Sequence, residues 1–272
     1  MAYQDFRCLR VEVARGVARV VLDHPPINLL DLPFILELDR LGASLAEDPE
    51  VRVVVLESAD PDFFVAHADV SLILELPGRK PEDEPAREPS FFQKMVDRFR
   101  TMPKVTIAKI EGICRGGGSE LVLSCDMRFA ALGRAVLGQP EVAVGILPGG
   151  SGTVRLPRLV GRSRALEIVL GAEDFSAELA ERYGYVNRAL PPEELGPFVE
   201  RLASRIASFP PEAVARAKRA VLAAEGDLTS HLALEAQLFD ECLVFPEARR
   251  RMEAFLAAGG QTREVEKRGF GS

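Results

Sequence analysis

The 272-residue chain reads as an α/β protein with a parallel sheet, followed by an all-helical C-terminal part. Two observations carry that reading. Over roughly the first 140 residues, short β-rich runs alternate with segments of helical periodicity, the pattern of parallel strands joined by helices. Beyond about residue 156 every periodic segment is helical. Taken in order, 9–13 and 17–22 are β-rich runs separated by Ala14, Arg15 and Gly16, a hairpin that ends at His24, Pro25 and Pro26. Residues 33–46 place Phe34, Leu38, Leu41 and Leu45 at helical spacing, with Pro33 suited to a first turn. The valine-rich run 51–56 has the look of a buried strand, as does 104–110; 127–131 and 135–137 are shorter strands. Helices are expected over 162–170, 176–183, 193–208, 211–224, 229–243 and 246–257, several opening on Ser, Thr or Pro and stopping at Gly. The proline-rich, charged stretch 77–90 cannot join a core and is expected as an exposed, mobile loop. The polar tail 261–272 is expected to be loosely held. No internal repeat is visible.

Composition narrows the function. With 47% hydrophobic residues the chain can bury a sizeable core. The net charge of −7, from 34 basic and 41 acidic residues, disfavours bulk nucleic-acid binding but leaves room for a basic pocket taking a phosphorylated small molecule. Cys8, Cys114, Cys125 and Cys242 form no CxxC pair, which excludes zinc ribbons and thioredoxin chemistry and points to reduced thiols in a cytoplasmic setting. His24, His67 and His231 share no metal-ligand spacing, so no metal is expected. No basic stretch leads into an apolar run at the start, and no apolar run approaches the roughly 20 residues that span a bilayer, so no membrane partner is expected.

The densest chemical signal is 111–126, EGICRGGGSELVLSCD. A strand feeds into Gly116, Gly117 and Gly118, and a helix-like run follows. Free N–H groups at a helix start carry partial positive charge and accept an anion or a developing oxyanion. No Gly-Lys-Ser/Thr follows, which excludes a Walker motif, and Leu121 and Thr153 stand where a GxGxxG fingerprint or a GxSxG elbow needs glycine. A tight turn with Glu120 as a first-turn partner of the helix dipole remains an equal alternative. A second cluster, Leu137, Gly138, Gln139, Pro140 and Glu141 running on through 142–153, is rich in glycine and proline and carries one acid. Adjacent loops bearing Glu120 and Glu141 make a general acid/base pair; a lone exposed glutamate on a turn is the plainer reading. A third cluster, 63–70, takes an apolar strand end into Ala66, His67, Ala68, Asp69 and Val70.

In this order and spacing the three clusters resemble the crotonase superfamily, the enoyl-CoA hydratases and isomerases. The likeness covers nearly the whole chain, from Pro26, Ile27 and Asn28 to the helices after Pro210, and is most specific over Gly116 to Asp126, Gly138 to Glu141 and Gly145 to Gly150. It implies a crotonase-like (ClpP/crotonase) α/β spiral of repeated ββα units over 1–200 and a helical trimerisation region over 201–272. It implies a coenzyme A thioester substrate, no further cofactor, and a homotrimer or dimer of trimers. The thioester carbonyl would sit between the backbone N–H groups of Ala68 and Gly117, with Ala66, Asp69 and Val70 lining the CoA moiety. Glu120 and Glu141 fall on the two hydratase acids; isomerases often keep one. Three departures stand out. His67 replaces a common glycine, as a loop residue that could narrow the pocket mouth or touch the nucleotide. Ser71 replaces a lysine found near the CoA phosphates in some members. The stretch 241–252 differs from the usual hydratase C-terminus, its arginine run reading as a solvated helix face. The expected reaction is hydration of a trans-2-enoyl-CoA. An enoyl-CoA isomerase or specialised acyl-CoA lyase is the alternative, and a non-catalytic acyl-CoA or RNA binder is a third possibility of another class.

Overall fold

The computed structural model describes residues 3–268 apart from 81, 85 and 87. Strands β1 (Leu9–Ala14) and β2 (Val17–Leu22) form the expected antiparallel hairpin, Ala14 facing Val17. Helix α1 (Leu32–Glu47) follows, opened by Asp31, whose side chain accepts from the Phe34 N–H at 3.0 Å. Three strand–strand–helix passages then build the spiral. The first is β3 (Val53–Ser58), β4 (Phe63–Val65), α2 (Val70–Leu74) and α3 (Phe91–Thr101). The second is β5 (Val105–Ile110), β6 (Ile113–Arg115) and α4 (Gly116–Leu123). The third is β7 (Met127–Ala131), β8 (Val136–Gly138), a 3₁₀ turn at Glu141–Val144, α5 (Gly152–Val160) and α6 (Arg162–Gly171). After β9 (Phe175–Ser176), α7 (Ala177–Tyr183) and β10 (Arg188–Leu190) come α8 (Pro192–Ala207), α9 (Pro211–Ala223), α10 (Thr229–Leu243), α11 (Pro246–Ala257) and α12 (Arg263–Arg268).

Each passage crosses between two sheets. The large sheet has the order β1-β2-β3-β5-β7-β10 and the small one β4-β6-β8-β9. Apart from the β1–β2 and β8–β9 edges the strands pair in parallel. A parallel sheet must be covered on both faces, and alternation along the strands achieves this. Val54, Leu56, Ala108 and Ala130 face a core shared with Phe34, Leu38, Leu41 and Leu45 of α1 and Met95, Val96 and Phe99 of α3. Val53, Val55, Ile107 and Phe129 face Leu195, Val199, Ala203 and Ala207 of α8, which runs unbroken across residue 200.

The structure adds elements where none was assigned and corrects two expectations. Helices α3 and α5 and strand β10 lie in segments that carried no assignment, although Ser90 and Gln93 form a readable capping box at the start of α3. The glycines Gly116 to Gly118 do not precede α4; they are its first turn, so Glu120 falls in the second turn. The tail is not loosely held through residue 268. Helix α12 is tied back by Arg263 to Asp60 and Asp62 and by Lys267 to Asp62, a charge cluster separated by some two hundred residues in sequence. Residues 269–272 lie outside the described part.

Candidate active site

The site forms where the three passages turn from the small sheet into their helices. Leu30 pairs with Ala68 as an isolated parallel bridge: its N–H donates to the His67 carbonyl at 2.9 Å, and its carbonyl accepts from Asp69 N–H at 3.0 Å. Those two bonds use the residues on either side of Ala68, so the Ala68 N–H points away from Leu30. Gly117, in the first turn of α4, has no acceptor within its own helix. A Cβ on Gly117 would lie 3.2 Å from the Ala68 Cβ, so the two donor-bearing segments abut. Glycine is needed beside them for separate reasons. Gly116 has φ +48°, and a Cβ on Gly118 would sit 2.6 Å from the Val65 carbonyl oxygen, where α4 crosses β4.

Glu120 and Glu141 reach this place from different elements. Glu120 is 3% exposed, and its Oε1 accepts from the N–H groups of Gly150 (2.7 Å) and Gly152 (2.8 Å). It is therefore not a partner for the dipole of its own helix. Burial first, then the charges of Glu141 and Glu235, push its carboxyl well above the ordinary range, against those two N–H bonds. Glu141 opens the 3₁₀ turn after Pro140, with its Oε1 2.9 Å from the point where a Cβ on Gly116 would stand. It is not an exposed turn glutamate: burial drives it up to about 8. The Gln139 amide, turned so that its nitrogen faces Glu141, donates to both carboxyl oxygens at 3.1 Å and accepts from Ser119 Oγ at 3.2 Å. Two carboxyls so placed cannot both ionise cheaply.

The remaining expected residues are placed as follows. Ala66 is fully buried and donates to the Ile27 carbonyl at 3.2 Å. Asp69 caps α2 by accepting from Ser71 N–H, and the Val70 N–H donates to Gln261 Oε1 at 2.7 Å. His67 is not a surface loop residue. It is 4% exposed, its Nδ1 donates to the Ala68 carbonyl at 2.8 Å, and its Nε2 lies 3.1 Å from Glu266 Oε1. Arg249, Arg250 and Arg251 lie on the exposed face expected of them.

Four residues carried no expectation. Arg115, just before the glycines, is 1% exposed; it grips Asp174 through Nε and Nη2 and donates to the Glu266 carbonyl. Glu266 thus touches the segment before Gly117 and the segment holding Ala68. Phe92 of α3 lies 3.3 Å from the Gly117 Cβ point and overlaps the one on Gly150, where Glu120 Oε2 is 2.6 Å away. Glu235 of α10 is buried among the N–H groups at the start of α5. Glu235 and Glu266 look like any solvated helix glutamate in sequence, because their partners lie far away in the chain. Phe92 alone had a local signal, the capping box beside it.

A spiral of strand–strand–helix passages, with the Ala68 and Gly117 segments abutting and two acids beside them, Glu120 buried and Glu141 half-buried, is the crotonase architecture. A sequence model of the enoyl-CoA hydratase/isomerase family matches residues 12–262, and the chain belongs to that family. Crotonyl-CoA hydratase of Syntrophomonas wolfei is 35% identical over 261 residues, covering 94% of this chain and 96% of that one. Short-chain-enoyl-CoA hydratase of Clostridium acetobutylicum is 35% identical over 245 residues, 88% of this chain and 91% of that one. Among solved structures, a candidate enoyl-CoA hydratase from Streptomyces avermitilis superposes with a TM-score of 0.87 at 41% identity, over 96% of this chain and 95% of that one. Enoyl-CoA hydratase from Bacillus anthracis gives 0.73 at 31%, over 93% and 97%.

Proposed function

We propose that the protein hydrates a trans-2-enoyl-CoA reversibly to the 3-hydroxyacyl-CoA, with the paired carboxyls Glu120 and Glu141 as the observation that carries the reading. The thioester carbonyl lies between the N–H groups of Ala68 and Gly117, with Ala66, Asp69 and Val70 along the CoA moiety. Water adds its oxygen to the β-carbon while Glu120 takes one of its protons. Electron density moves onto the carbonyl oxygen, where two preset donors hold it; losing one such donor typically costs about 3–4 kcal/mol. Glu141 then protonates the α-carbon and the carbonyl re-forms, so that one water has been added overall. No electron changes hands; Glu120 ends with a proton and Glu141 without one, and passage of that proton from Glu120 to Glu141 restores the starting arrangement.

Two finer readings belong to the same proposal. The acyl group is short, because Phe92 stands beside Gly117, Gly150 and Glu120, and both curated relatives described above are named for short-chain or crotonyl substrates. The chain assembles as a homotrimer or a dimer of trimers. Helix α9 buries none of its residues, Val221 is 71% exposed, and a cavity of about 520 Å³ lined by Val105, Leu123, Val214 and Leu222 opens beneath it. Apolar surface of that kind calls for a partner.

The test is loss of the enoyl-thioester absorbance with crotonyl-CoA. Glu120→Gln and Glu141→Gln should each lower hydration by about 10²–10⁴-fold. Absence of hydration in the unaltered protein, with an isomerase activity that needs only Glu141, would replace this reading by the isomerase one.

A further inference from the structure

Residues 150–153 present successive N–H groups to two carboxylates in alternation. Gly150 and Gly152 donate to Glu120 Oε1 at 2.7 and 2.8 Å. Ser151 donates to Glu235 Oε1 at 2.6 Å, and Thr153 donates to Glu235 Oε2 at 2.8 Å through its N–H and again through its hydroxyl. The alternation depends on Ser151, which has φ +107°, a left-handed conformation that a residue with a side chain keeps only when its surroundings impose it. Two groups impose it here: Glu235 on the N–H, and Arg155, whose Nε donates to Ser151 Oγ at 2.7 Å. Glu235 is itself fixed, at 3% exposure, by the Gln93 side chain, whose Nε2 donates to it at 3.0 Å.

We propose that Glu235 is a positioning residue for the hydration step: by holding Ser151 in its left-handed conformation it aims the Gly150 and Gly152 N–H groups at Glu120 and sets the orientation of that carboxyl toward the attacking water. This rests on the hydratase reading. Glu235 touches no reacting atom. Its carboxylate shares a buried region with Glu120, Glu141 and the Arg155–Asp97 ion pair, and its negative charge opposes ionisation of both acids.

The experiment measures crotonyl-CoA hydration by Glu235→Gln and Glu235→Ala, alone and combined with Ser151→Gly or Glu120→Gln, with thermal melting of each protein. The expected result is a kcat lower by about 10- to 100-fold with KM little changed, because a small misplacement near the chemistry acts on the reacting geometry rather than on thioester binding. Ser151→Gly should restore much of the lost kcat, since glycine takes a positive φ without being held. In the Glu120→Gln background, Glu235→Ala should cost little more, since the two act through one group. The inference is overturned if folded Glu235→Gln keeps kcat within about twofold, or if its loss multiplies in full with that of Glu120→Gln. It is overturned equally if Ser151→Gly restores the melting temperature but not kcat. Absence of hydration in the unaltered protein would be failure of the underlying reading, a separate outcome.

Discussion

At the scale of the residue, the site depends on what occupies a few cubic ångströms beside Gly117. Phe92 and Glu120 both approach the place where a side chain on Gly150 would begin, so on the proposed hydratase reading the ring bounds the space for the reacting carbons. Truncating it removes that boundary. Phe92→Ala is expected to raise kcat/KM for a longer 2-enoyl-CoA relative to crotonyl-CoA by about 10-fold or more, as the pocket gains room for several methylenes. Parallel rate measurements on the two substrates check this, and an unchanged ratio places the acyl chain elsewhere. Local spacing left Glu120 and Glu141 with plainer readings, and it was the resemblance of their glycine-rich stretches to a known family that singled them out. The sequence could not make Glu235 legible: the backbone donors around that carboxylate lie 81 to 84 residues away in the chain, and the Gln93 side chain lies 142 away.

At the scale of the element, α12 is the short helix that changes the reading of the C-terminus. It places Glu266, 2% exposed, against His67 on one side and Arg115 on the other. Burial pushes the Glu266 carboxyl up, but His67 and the Gln261 N–H outweigh burial and hold it below its ordinary value. Removing one member of such a group strands the others in the interior. Glu266→Ala is expected to destabilise the fold by about 3 kcal/mol, read as a shift in the urea unfolding midpoint with an unchanged slope. A shift below about 0.5 kcal/mol would place this cluster among inert surface pairs. The polar tail hid this because its anchor is charge pairing with Asp60 and Asp62 rather than an apolar stripe.

At the scale of the whole molecule, the buried acids tie folding to pH. Glu141 is raised from 4.5 to about 8 in the folded chain, and Glu120 and Glu235 are displaced in the same direction, burial being the first cause for each. Between those values folded Glu141 holds a proton that the unfolded chain releases, so its contribution to stability falls as pH rises through the window. It is fully present below about 4.5 and lost by about 8, with a slope of up to about 1.4 kcal/mol per pH unit for one group. Unfolding free energies measured from about pH 5 to 8 at fixed protein concentration should show the decline, and Glu141→Gln should flatten it. An identical slope in that variant would remove Glu141 as its source.

The amino-acid sequence alone determined the hairpin, the alternation of strand and helix, the helical C-terminal part and the glycine-rich stretches that hold Glu120 and Glu141. Each of these is written in local periodicity, turn chemistry or a contiguous motif. Only the tertiary structure decided that the glycines are the first turn of α4, that α12 folds back against the segments around Ala68 and Gly117, and that Glu235 takes the Ser151 N–H between the two donors facing Glu120. Those features arise where segments remote in the chain exchange hydrogen bonds and charge in a dehydrated interior, and no local pattern encodes which distant partner a given glutamate will meet.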